Sequence, residues 1–205
     1  MPQSLILLYT ISFHKLKTNK MKYLIIAAIF LLLTAASCKK ENTPQDELSK
    51  LPPATQTGAN TFGCLVNGKA WVAQTDCRLI CDPPFKLYYD GSNGGYVGIT
   101  ADWLNSANNI KQRIDIVFDS TNYKLNHILS IYNRLTTARF VNYKSVNSCG
   151  IYEHYIDSSV IHTGIVNLNK YDLREGIISG TFEFTLTKPG CETLTVTNGR
   201  FDKKL

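Results

Sequence analysis

Three histidines in the body of the chain, His127, His154 and His162, are the first places to look for proton chemistry. His154 shares a short stretch, HYIDSS, with Asp157 and Ser158. These are the residue types of a hydrolytic triad, in which a histidine takes the serine proton and a carboxylate orients the ring. Their spacing argues against it. Triad members are assembled from separate segments, and in a strand positions 154 and 157 face opposite sides. No G-x-S-x-G elbow, H-E-x-x-H helix or phosphate-cradling loop occurs. The sequence predicts a protein that is not an enzyme, with no catalytic residue and no cofactor.

Metal chemistry has two candidate sites. Cys77 and Cys81, in CRLIC, have a spacing found among zinc ligands. No second clustered pair accompanies them, and two cysteines so close can equally close a small disulfide loop. DGSNGG, Asp90 to Gly95, offers oxygen ligands in a glycine-rich loop but lacks the acidic residue that closes an EF-hand loop, so it reads as a hairpin turn. No metal site is expected. The aromatics around that loop are the better candidates. Tyr88, Tyr89, Tyr96 and Trp103 bracket it, with Trp71 further upstream. Exposed rings near a loop make a stacking platform for sugars, whereas half-packed rings are ordinary strand residues.

The elements that must position these residues are strands. From Thr61 onward short alternating runs are separated by turn signals, the pattern of an all-β domain. Phe62 to Val66, Asn67-Gly68 and Lys69 to Ala73 read as a tight type I′ hairpin. Lys86 to Tyr89 and Tyr96 to Ala101 form a second hairpin around the DGSNGG loop. Ile114, Ile116 and Phe118 alternate with polar neighbours in a half-buried strand. Ile128 to Tyr132, Ala138 to Tyr143 and Ile151 to Ile156 are further candidate strands. Thr163 to Tyr171 and Ile177 to Thr187 flank a DLREG turn, with Phe182, Phe184 and Leu186 on one face of the second strand. KPGCE then turns the chain into Leu194 to Thr197, and Asn198-Gly199 supplies another type I′ signal before Arg200 to Leu205. The expected fold is an antiparallel β-sandwich or barrel-like meander over residues 61–205, with little helix.

The N-terminal region has a different character. Met21 and Lys22 precede an apolar run from Tyr23 to Leu33, and Thr34, Ala35, Ala36 and Ser37 lead into Cys38. The apolar run is too short for a membrane-spanning helix, which needs about 20 residues. A basic start, an apolar run and small residues make a secretory signal. With cysteine directly after the cut it resembles a bacterial lipoprotein signal, with Ala35 where such signals usually carry Leu. That resemblance implies a lipid, palmitate among its acyl chains, on Cys38 and residues 21–37 removed. Residues 1–20 read as a mis-assigned start. Lys39 to Asn60, rich in Pro, Thr, Gln and charge, reads with Cys38 as a flexible tether over residues 38–60, whose 22 residues after Cys38 would have a root-mean-square span of about 25 Å.

Removing residues 1–37 takes away four lysines and no acid, so the net charge falls from +6 to +2. No basic stripe remains, and no nucleic-acid partner is expected. Cys64, Cys77, Cys81, Cys149 and Cys191 are an odd set in an exported chain. Cys77 with Cys81, and Cys149 with Cys191 in turn contexts beside Gly150 and Gly190, are the disulfide candidates. Cys64, inside a strand-like run, is the choice for a buried free thiol.

The segments TFGCLVNGKAWV (Thr61 to Val72), IISGTFEFTL (Ile177 to Leu186) and VTNGRFDKKL (Val196 to Leu205) resemble an uncharacterised family of small lipoproteins of the Gram-negative cell envelope. The resemblance implies a lipid-anchored protein of the outer membrane, periplasmic or surface-facing, with one β-domain, and carries over no catalytic residue. The expected function is a binding or interaction module at the envelope, with a glycan or an envelope protein as partner. A structural accessory subunit of an envelope complex is the alternative, and a hydrolase is the third.

Overall fold

The computed structural model describes residues 43–76, 82–90, 96–119, 128–130, 137–145, 148–154 and 156–205. Among these residues one short helix, α1 (Pro44–Leu48), precedes eleven strands: β1 (Thr61–Val66), β2 (Lys69–Val72), β3 (Phe85–Asp90), β4 (Tyr96–Asn105), β5 (Ile110–Asp119), β6 (Ile128–Ser130), β7 (Thr137–Asn142), β8 (Ile151–Tyr152), β9 (Ile161–Asp172), β10 (Ile177–Thr187) and β11 (Leu194–Lys204). They form two antiparallel sheets, ordered β2-β1-β11-β10-β9-β6 and β3-β4-β5-β7-β8. The sheets face each other as a β-sandwich. Among the described residues no helix is long and apolar enough to cross a membrane.

Period-two alternation builds the core, because successive strand side chains point to opposite faces. Ile114, Ile116 and Phe118 on β5 and Phe182, Phe184 and Leu186 on β10 are all buried, as the alternation predicts. Phe62 ties the layers together. It stacks on Phe182 at 5.0 Å within its own sheet and reaches Phe85 of the other sheet at 5.5 Å.

Turn chemistry closes β1 onto β2. Asn67 (φ 47°) and Gly68 (φ 76°) both have positive φ, as a type I′ turn requires. The second Asn-Gly behaves differently from expectation. Asn198 (φ 53°) and Gly199 lie inside β11, which runs unbroken from Leu194 to Lys204. Register shifts on both sides of β11 mark a β-bulge there. An Asn in left-handed conformation serves a bulge as well as a turn, and two flanking partner strands hold this one within the sheet.

The tether expectation for Lys39 to Asn60 is corrected from Thr43 onward. Thr43 and Asp46 form a capping box at the start of α1. Glu47 is buried and accepts the Ala70 N–H of the outermost strand β2 at 2.8 Å. Leu51 is buried, and Pro52 lies so near Gly63 that a β-carbon there would meet it at 2.6 Å. Asp202, 1% exposed, then binds the next stretch. It accepts hydrogen bonds from Thr55 Oγ1 (2.6 Å), Thr57 N (2.9 Å), Gly58 N (2.8 Å) and Ala59 N (3.1 Å). Composition hid this because the partners of these polar residues lie some 145 residues away in sequence, on β11.

A second set of bonds ties the β10–β11 hairpin to the segment before β9. Cys149 and Cys191 are disulfide-bonded, with Cα atoms 5.5 Å apart. Lys188 donates to Ser148 O (2.9 Å) and pairs with Asp157 (3.0 Å), and Tyr152 OH donates to Glu192 O (2.6 Å). The strand expected over Ile151 to Ile156 is only Ile151–Tyr152, because the chain turns away after β8.

Candidate functional site

The outer face of the five-stranded sheet gathers the candidate aromatics. Tyr88 of β3 is paired with Gly98 of β4, and Tyr96 follows on the same face of β4. Both rings are substantially exposed, and they meet edge to face with centroids 6.0 Å apart. Gly98 makes room for this: a β-carbon there would lie 1.9 Å from Tyr88 Cζ. The Tyr88 ring thus fills the space a side chain would take on its neighbouring strand.

Next to the rings, cross-strand pairing assembles a polar frame. Thr100, Asp115 and Arg139 are direct partners across β4, β5 and β7. Thr100 Oγ1 donates to Asp115 Oδ1 at 2.8 Å. Arg139 donates to Asp115 Oδ2 (2.8 Å) and, at its other end, to Glu153 Oε2 (2.9 Å). One row along, Arg113 grips Asp102 with two bonds of 2.8 and 3.0 Å. Lys111 sits over the exposed Tyr143 ring at 4.9 Å. Burial pushes the Tyr88 hydroxyl up from its ordinary pKa. Tyr96 and Asp115 push the same way, and Arg139 opposes them. The Asp102 hydrogen bond raises Arg113 further still. For Arg139, burial lowers the pKa but Asp115 and Glu153 outweigh it, and the net direction is up.

The structure separates the other two predicted aromatics from this platform. Tyr89, one residue along β3 from Tyr88, points to the opposite face and meets Tyr171 of the other sheet at 6.4 Å. Trp103 packs edge to face on Trp71 at 6.2 Å, on the inner side of β4. Trp71 donates to Gln112 Oε1 at 2.9 Å and belongs to the core. Strand parity carried this signal, since Tyr96 and Trp103 are an odd number of positions apart and must face opposite sides. Arg139, Asp115, Thr100, Arg113 and Asp102 were missed because only the register across strands brings them together.

Cys149 and Cys191 form the disulfide, and Cys64 is a buried free thiol whose pKa burial raises. Cys38, Cys77, Cys81, His127 and the loop residues 91–95 lie outside the described residues. His154 Nδ1 meets Val160 O at 2.8 Å, and the His154 and His162 rings are 5.8 Å apart. Burial, and then His154, lowers the His162 pKa. Asp157 is engaged with Ser159 (2.6 Å to Oγ) and Lys188, which hold its carboxyl down at about 2. Ser158 is exposed. Among the described residues no three His, Cys, Asp or Glu side chains converge on a metal position. No protein-family model, no curated protein and no solved structure matches this chain.

Proposed function

We propose that this chain is a lipid-anchored, non-enzymatic binding module of the Gram-negative outer membrane, held through Cys38, that takes glycan on the outer face of its five-stranded sheet. The observation that carries the ligand reading is the exposed Tyr88–Tyr96 pair over Gly98. A sugar ring presents C–H groups to an aromatic face and hydroxyls at its rim. Two exposed tyrosines offer the first surface, while Thr100, Asp115 and Arg139 beside them offer donors and acceptors held in place by their own bonds. Such preorganisation lowers the ordering cost of binding. The anchor reading rests on the Met21 to Cys38 pattern.

Retention on a glycan array and in polysaccharide pull-downs tests the ligand. Tyr88→Ala and Tyr96→Ala should each lower retention roughly tenfold, equivalent to about 1.4 kcal/mol, with circular dichroism unchanged. Absence of retention for the unsubstituted protein on every glycan ends this reading. A second reading, an accessory subunit docking an envelope protein, is favoured by the exposed Ile151, Ile156 and Ile161. Crosslinking in intact cells that captures one envelope protein, and is lost in Ile156→Asp, would select it.

A further inference from the structure

We infer that the edge of the six-stranded sheet carrying α1 and Lys69 lies against lipid headgroups, leaving the Tyr88–Tyr96 face uncovered. The inference rests on the lipidation of Cys38 proposed above. Its basis is the length of chain between the anchor and the domain. A tether running to Asn60 would let the domain stand well off the surface. The chain is instead ordered from Thr43 by the Thr43–Asp46 capping box and bound to the sandwich through Glu47 on Ala70, Pro52 beside Gly63 and the Asp202 carboxylate. Only four residues lie between Cys38 and Thr43, five Cα steps along the chain. Fully extended, they reach at most about 18 Å.

Thr43 caps α1, which packs on β2, the outermost strand of the six-stranded sheet, whereas the tyrosine pair lies on the outer face of the other sheet. The part of the domain that so short a connection draws to the surface is therefore the β2 edge. Its charge is slightly positive: Lys39, Lys40, Lys50 and the exposed Lys69 stand against Glu41, Asp46 and Glu47, of which Glu47 is buried and occupied by Ala70 and Lys50.

The test uses the full lipidated chain, purified from a bacterial host that processes lipoproteins. It is reconstituted in phosphatidylethanolamine–phosphatidylglycerol vesicles bearing a headgroup nitroxide. A fluorescent residue is placed by codon suppression at position 69 or at position 96. Quenching at 69 should exceed that at 96 several-fold. Inserting about 20 Gly-Ser residues between Glu41 and Asn42 should bring the two level, because a coil of that length restores distance. Equal or reversed quenching in protein that sediments with the vesicles overturns the inference and leaves the anchor standing. Protein that stays in the supernatant with an unmodified Cys38 by mass overturns the anchored reading, and this inference with it.

Discussion

Tyr88 and Gly98 are direct cross-strand partners, and the tyrosine ring occupies the volume where a Gly98 side chain would stand, 1.9 Å from the position of a β-carbon. The atoms in the way are Cζ, Oη and Cε1, the far end of a side chain rather than backbone. Gly98→Ala should therefore swing the ring off the platform without breaking the sheet. The expected stability cost is about 1 kcal/mol, at the low end for overpacking. Glycan retention should fall to the level of Tyr88→Ala. Chemical denaturation and array binding on one preparation check both halves, and full retention would separate the ring from the ligand.

Asp202 makes the N-terminal segment sensitive to acid. Burial pushes its carboxyl up, but the hydrogen bonds from Thr55, Ala59, Thr57 and Gly58 outweigh this and hold it below the ordinary range. A carboxyl whose folded pKa lies below its unfolded value, near 3.9, stabilises the fold fully above that value. The contribution is lost as pH falls through the folded pKa. Amide exchange at Thr57, Gly58 and Ala59 should accelerate below about pH 4 relative to the β10–β11 ladder. Asp202→Asn should show the same acceleration at neutral pH, with a loss of about 1.5–3 kcal/mol. Exchange at these amides that ignores both changes would refute the role given to Asp202.

The Cys149–Cys191 bridge closes a loop with a sequence separation of 42. On the chain-entropy account this is worth about 4 kcal/mol. The paired substitution Cys149→Ser/Cys191→Ser should lower the urea midpoint accordingly, and reductant should lower the midpoint of the natural chain by more than that of the variant. Cys64 should resist alkylation until the fold opens, because burial both shields the thiol and disfavours its thiolate. Peptide mapping after alkylation, with and without denaturant, reads both statements.

Local signals carried most of the architecture. The Asn67-Gly68 turn and the buried alternation of Ile114, Ile116 and Phe118 could be read because each depends on neighbours along the chain. The same local reasoning failed at Asn198-Gly199, where the residue type is equally compatible with a turn and with a bulge and only the partner strands decide. It failed again at Thr55 to Ala59, whose single carboxylate partner is distant in sequence. At the site, Tyr88 and Tyr96 were visible as aromatics flanking a loop. The frame of Thr100, Asp115, Arg139 and Glu153 spans four segments, so its composition says nothing until register is known.

Glu47 has a consequence that reaches beyond one molecule. An outermost strand with idle amides is a template on which another chain can add a strand and begin a fibril. In this sandwich β2 is such a strand, and the Glu47 carboxylate occupies its Ala70 amide while α1 lies alongside. Five helical residues upstream of the sheets thus act as a guard against self-templating. A chain trimmed to begin at Thr61 would keep every strand of the sandwich and lose that guard.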